Sequence, residues 1–599
     1  MAPSLLNGDG SGDTVYRNGS ARNSYSMLAE TRKAIEKLVQ VVGSQLPSEC
    51  KELLASTEFR TSNTGTPDFP CPFKETEAAG ALKAVEAAVA ATIANIRLGE
   101  QKRKIVIDLE RASCFLFSTY VATVGGYDKG NPKSKALLKR KQHVDSAAIT
   151  RLTIDAATDL LQAQSNPYRR LAANLYETKN AGEYYHIHGS LEATTTLNMI
   201  GLPGFLNETP SYQDCIDLIE KHVKQYTVTE LETMNAERKQ AGVPCLKPSD
   251  FAANEHGKAL AKEPPWRIEV LEHDSPPAPF APLPSTSATP KPQILSGIKV
   301  LELCRIIAGP SMGRGLAEYG ASVLKVTSPA LSDVPFFQVD VNVGKHAAEL
   351  DLRSGAGRAA FDALLRDADV LLDGYRPGAL ARLGYGPRRL LREAARRGRG
   401  FVYVAEDCFG HVGEWAARPG WQQIADCATG VAWEQGWFMG LDEPVVPPFP
   451  MSDYGTGCMG TIAALTALYR RATEGGSYWA GTSLCQYDLF LLSLGLYPED
   501  VKERIKEMHD QSFFELRHHD SVDEVGKRAL KSMRRCHPEL FEDRHFGESF
   551  SAGFKAQVKY VKPVVEIEGT WTGWVRQARP NGFDKPGWDD WEVEQDMVN

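Results

Sequence analysis

The sequence predicts an α/β protein: a Rossmann-like parallel sheet with helices, joined to a smaller α+β domain. Three observations carry this. A strand–helix alternation begins after residue 294, a proline-rich break precedes it, and the first half is mostly helical. Strands separated by helices cross over the sheet and so run parallel.

The break is Ser275 to Gln293, in which seven residues are proline. Proline removes backbone donors and favours extended geometry, which makes a linker. After it, Ile298 to Leu303 reads as a buried strand. Pro310 to Tyr319 reads as a helix with Pro in its first turn and Gly320 at its end. Ser322–Val326, Val370–Leu372 and Phe401–Val404 read as further strands, and Gly357–Asp367 as an amphipathic helix. Before the break, Thr76–Arg97, Ala148–Gln164, Tyr212–Gln225 and Thr229–Ala241 read as helices, and Arg103–Leu109 and Glu183–His188 as strands. This divides the chain into a disordered lead (1–27), a first half (28–274), a linker (275–293), a second half (294–494) and an extension (495–599) expected to pack on the core through its tryptophans.

A weak internal repeat is visible. Phe69-Pro70, leading into a small-residue helix and a short strand, echoes Phe449-Pro450, which leads into a similar helix and extended segment. In this alignment Asp453 falls near Gly80, with Glu75 and Glu77 nearby but shifted.

Net charge is −8, so phosphate-rich nucleic acid is not the expected main partner. Eleven scattered cysteines without CxxC spacing predict free thiols in a reducing compartment. With no run of eighteen apolar residues, no apolar signal core and no SKL ending, no membrane span is expected and the expected location is cytoplasmic. His186 and His188 share a strand face but lack a third ligand at useful spacing, so no metal is expected.

Four segments carry chemistry: LSGIKVLELCRIIAGPSMGRGLAEYGASVLKV (295–326), NVGKHAAELDLRSGAGRAAFDALLRDADVLLDGYRPGALARLGYG (342–386), RPGWQQIADCATGVAWEQG (418–436) and PMSDYGTGCMGTIAALTALYRRATEGG (450–476). In this order they resemble the class III CoA-transferase (CaiB/BaiF) family, which includes formyl-CoA and carnitine-CoA transferases and 2-methylacyl-CoA racemases. The resemblance implies that Asp453 is a nucleophile that attacks an acyl-CoA thioester and then carries CoA as an aspartyl thioester. A carboxylate does this when it is ionised and desolvated. By residue type alone, Asp453 also suits a helix cap. Gly455 and Gly457 would let backbone N–H groups approach an oxyanion, ahead of a helix starting near Met459. The resemblance further implies that Arg305, Ile307 and Ala308 line the pantetheine and acyl path, that Tyr375 stacks on adenine and that Arg382 meets phosphate.

Two departures bear on CoA binding: the second strand ends in Lys325-Val326-Thr327-Ser328, and Gly374 stands where the family has asparagine. Trp421 occupies the place of the racemases' histidine, which disfavours racemisation. The first half resembles the family's small domain and C-terminal return, which makes it a truncated, non-catalytic copy. Family dimers are interlocked, so a tandem pseudo-dimer is expected, with a homodimer or a circularly permuted single subunit as the alternatives. Acyl-CoA and a carboxylic acid are the implied substrates, and no permanently bound cofactor is expected. A same-fold enzyme diverged to another substrate and a non-catalytic pseudoenzyme remain open.

Overall fold

The computed structural model describes residues 25–62, 65–138, 159–208, 210–283, 289–589, 591 and 593–598. Most of the expected disordered lead and most of the 148–164 helix lie outside the described residues. Of the latter, 159–164 are not helical, and Gln162 has a φ of 53°. Ser26 caps a helix over Met27–Val42, so this helix starts inside the stretch expected to be a disordered lead.

The elements that position the site are, in chain order, α1 (Glu75–Leu98), β1 (Ile105–Asp108), β2 (Tyr184–His188), β3 (Trp266–Glu272) and β4 (Lys299–Leu303). Then come α2 (Ala308–Glu318), β5 (Ser322–Thr327), β6 (His346–Glu349), β7 (Val370–Asp373), β8 (Val402–Asp407), α3 (Met451–Thr473) and β9 (Ser477–Ser483). The extension adds α4 (Glu499–Met508), α5 (Val522–Cys536) and β10 (Val565–Ile567).

The main sheet runs β6-β5-β4-β7-β8-β9-β3. Its first six strands are parallel. In their own chain order they read 3-2-1-4-5-6, so the winding reverses between β4 and β7. Sheets of this order bind ligands beyond the strands' carboxyl ends at that reversal. β4 and β7 are buried along nearly their whole length, which explains their mostly apolar runs, and the one interior charge, Glu302 of β4, is paired with buried Lys345 at 2.6 Å.

The two halves are not separate bodies. β3, from before the linker, closes the sheet antiparallel to β9. β10, from the extension, pairs antiparallel with β1. The order α1–β1 in the first half therefore parallels α3–β9 in the second, each strand taking an antiparallel partner from elsewhere in the chain. Helices α1 and α3 pack together: Cys458 Sγ lies 3.0 Å from Glu86, which also pairs with buried Lys83 at 2.9 Å. Helix α1 is long and apolar enough to cross a membrane, yet it is a core helix buried along most of its length. The tail packs inward: Trp574 is buried with its Nε1 donating to Arg314 O, and Trp591 stacks on His346 at 4.0 Å.

Helix α3 begins at Met451, not near Met459, so Gly455 and Gly457 lie inside it. A Cβ at Gly455 would sit 1.8 Å from the Tyr487 ring, and one at Gly457 would sit 2.4 Å from Ser311 Cβ. Both glycines serve close packing. The expected glycine bend presenting N–H groups to an oxyanion is not formed, because intrahelical bonds take those groups.

Candidate active site

Three loops leave the carboxyl ends of β4, β7 and β8 at the reversal point. Together with the strand end at Glu406-Asp407 and the first residue of α2, they carry Arg305–Ala308, Gly374–Pro377 and Glu406–Cys408. With Arg418–Trp421 and Asp453 they line a cleft of about 650 Å³, counting its open mouth. Arg305, Ile307, Ala308, Tyr375, Trp421 and Asp453 thus meet at one place. Arg382 does not: it is exposed and donates to Pro377 O in its own turn. Arg376 and Arg418 line the cleft instead. The Arg305 guanidinium lies 5.6 Å from the Tyr375 ring centre, within cation–π reach.

Asp453 is the third residue of α3, where the helix dipole favours negative charge. Its side chain is buried, and burial pushes its pKa up to about 7, against the Ala308 N–H, which donates to it and favours the ionised form. The segments presenting these two groups are both strained. Ile306 has a φ of 72° and Phe449 a φ of 68°, costly for a β-branched and an aromatic residue, and such strain clusters at functional sites.

Glu406, at the end of β8, is a cleft residue that the sequence reasoning passed over. Burial, with Asp407, Asp453 and Asp373 adding to it, holds its pKa well above the usual carboxylate range. This favours its protonated, hydrogen-bond-donating form beside an acid that can ionise. The adjacent Glu406-Asp407 pair, directly after an apolar strand, was the available signal. Gly374 has a local reason: a Cβ there would press on Cys304 Sγ at 3.0 Å and Glu406 Oε2 at 3.2 Å.

A second cleft, of about 660 Å³ with its mouth, opens on the other side of Asp453. It shares Ile306, Ile307, Trp421 and Asp453 with the first. Its far wall comes from the first half and the extension. The Trp421 Nε1–H donates to Ser190 Oγ at 2.8 Å, and the His188 ring stacks on Trp421 at 5.7 Å. His188 Nδ1 accepts the Ser190 N–H at 2.9 Å, which leaves Nε2–H to donate to Gln423 Oε1 at 3.2 Å. Burial pushes His188 well below its usual pKa, so the ring is neutral. His186 stacks on it at 5.6 Å, and among the described residues the pair gathers no third metal ligand. Further along, Lys129 and Arg170 share Asp523 at 2.7 and 2.9 Å.

Helix α1 carries a counterpart of this carboxylate. Glu77 is the third residue of α1, as Asp453 is of α3. Counted from the helix starts, Glu77 rather than Gly80 matches Asp453. Burial pushes Glu77 up to about 7 as well. Yet Tyr25 and Tyr497 hydroxyls both donate to it, at 2.5 and 3.0 Å, and occupy its oxygens.

Residues 295–508 match the family model described as CoA-transferase family III. The acetyl-coenzyme A transferase nodX of Hypoxylon pulicicidum is 32% identical over 577 residues, covering 95% of this chain and 94% of that one. The chain belongs to the class III CoA-transferase family. It is a CoA-transferase, with CoA thioesters as its substrates. An acyl-CoA transferase of Gibberella moniliformis is 29% identical over 88% of this chain and 92% of its own length. A solved CAIB/BAIF family protein from Brucella suis is 29% identical, with a TM-score of 0.29, covering 34% of this chain and 56% of that one. The family match includes Asp453, Glu406, Tyr375 and the Arg305–Ala308 loop of the transferase. The wall bearing Lys129, Arg170 and His188 lies before it.

Proposed function

We propose that this transferase moves CoA between carboxylic acids through covalent intermediates on Asp453. The carrying observation is one buried carboxyl at the meeting point of two clefts. The Asp453 carboxylate attacks the thioester carbonyl of a donor acyl-CoA, forming a mixed anhydride and expelling the CoA thiolate. That thiolate attacks the Asp453 carbonyl, giving an aspartyl-CoA thioester and releasing the donor acid. An acceptor carboxylate repeats the two steps in reverse, leaving a new acyl-CoA and free Asp453. The Ala308 N–H and protonated Glu406 are the donors suited to charge that develops on the attacked carbonyl oxygens.

In this reading CoA enters over the Rossmann-like sheet, past Tyr375 and Arg305. Arg376 and Arg418 take the phosphate role expected of Arg382, and the acid occupies the second cleft. The swapped strands β3 and β10 and the capped Glu77 support a tandem, interlocked pseudo-dimer with one working site. The first half then lacks a nucleophile but walls the acid cleft. Eleven free thiols accord with a cytoplasmic setting.

The test is exchange. With acetyl-CoA and isotopically labelled acetate as the only substrates, label should enter acetyl-CoA, because the first two steps reverse without a second acid. Transfer to other acids without any such exchange would contradict the covalent route.

A further inference from the structure

The extension holds a cluster that the transfer chemistry does not use. His509 follows the last turn of α4, while Cys536 ends α5 and His537 follows it directly. Neighbouring residues inside a helix diverge. Here the helix ends at Cys536, and His537 turns out of it with φ −128° and ψ 57°, so both side chains reach the same spot. One ligand-type atom from each of the three residues lies within 4.8 Å of the other two. Cys536 Sγ stands 3.6 and 3.9 Å from the two ring nitrogens of His509.

Both histidines are almost fully buried, at 4% and 2% exposure, and each has one nitrogen held from outside the cluster. His509 Nδ1 bonds Ser532 Oγ at 2.9 Å, and His537 Nδ1 bonds Glu539 Oε1 at 3.1 Å. An outer hydroxyl or carboxylate on Nδ1 is how metal-binding imidazoles are fixed in tautomer and direction. The remaining nitrogen of His537, Nε2, is buried without a hydrogen-bond partner. A polar atom left so is costly unless something binds it.

We propose that His509, Cys536 and His537 bind one zinc-class divalent cation that ties α4 to the end of α5. Two imidazoles and one thiolate form the borderline-soft donor set that zinc takes. Cys536 is partly exposed, which leaves the fourth position to water. Binding displaces the Cys536 thiol proton to solvent and turns the sulfur into the anionic ligand. The site is separate from Asp453 and does not depend on the transfer mechanism.

The full-length chain, carrying a tag free of histidine and prepared without chelator, is incubated with zinc and dialysed, then assayed by elemental analysis. One zinc per chain is expected, falling to background in Cys536→Ser. Cobalt substitution should give a thiolate-to-cobalt charge-transfer band that this variant lacks. Glu539→Gln, which alters only the outer partner of His537, should weaken zinc on the order of 10–100-fold and leave the CoA-transfer rate unchanged. Substoichiometric zinc in the natural chain, or equal retention by Cys536→Ser, would overturn the site. Should Cys536→Ser fail to fold, unchanged zinc affinity in Glu539→Gln overturns it, and weakened affinity supports it.

Discussion

Asp453→Asn should abolish transfer and at the same time stabilise the fold. Burial raises the Asp453 pKa from its ordinary 3.8 to about 7. Between those values the unfolded chain has lost the proton while the folded chain keeps it, so stability falls as pH rises. Above about 7 the folded chain carries the full desolvation cost, about 4 kcal/mol at about 1.4 kcal/mol per unit of pKa. Asparagine removes this charge and still accepts the Ala308 N–H. Its amide brings a new donor into a buried place, which takes back about 1–3 kcal/mol. The net gain at pH 8 is then on the order of 1–3 kcal/mol. A chain of this size need not unfold in one step, so the measurement is the difference in thermal midpoint between variant and natural chain from pH 4 to 9. The gap should open between pH 4 and 7 and level off above. A variant less stable than the natural chain at pH 8, or a gap independent of pH, would refute the burial argument. Retained transfer would refute the nucleophile.

The site and its supports yield three further expected outcomes. kcat/KM should rise with pH through about 7 as Asp453 ionises; a profile flat from pH 5 to 8 would show that another group limits the reaction. Gly455→Ala should cost about 1–3 kcal/mol by overpacking, since the added Cβ would fall 1.8 Å from the Tyr487 ring. It should also lower kcat by moving the turn that bears Asp453, and unchanged stability in thermal unfolding would contradict the close contact. Tyr497→Phe should cost about 1–3 kcal/mol by taking a donor from buried Glu77 while transfer continues at its natural rate; lost transfer in a folded variant would make Glu77 part of the working site.

The second-half strands were legible because buried parallel strands are continuous apolar runs, and β4, β7 and β8 were found to within three residues at each end. The start of α3 was not. Gly455 and Gly457 are poor helix formers, and only packing against Tyr487 and Ser311 explains them. The repeat put Asp453 near Gly80 rather than Glu77 because runs of small residues fix a register only loosely, and the helix starts at Glu75 and Met451 settle it. That Arg305, Tyr375 and Trp421 would line one cleft was legible because they lie next to recognisable strands or motifs. Arg382 shares a segment with Tyr375, but the chain turns at Gly378 and carries it to the surface. The second cleft had no local signal. Its walls come from residues near 120–190, 306–337, 421–453 and 522, brought together only by the fold. Strand β3 was not read from the sequence at all, and it is its pairing with β9 that joins the two halves.

The transfer chemistry rests on a bond between this protein and CoA at one side chain. Brief exposure to acyl-CoA without an acceptor acid, then digestion and mass spectrometry, should give a CoA-mass adduct on the peptide containing Asp453, removed when a second acid is added. Transfer that proceeds with no adduct there, or with the adduct on another residue, would contradict the account.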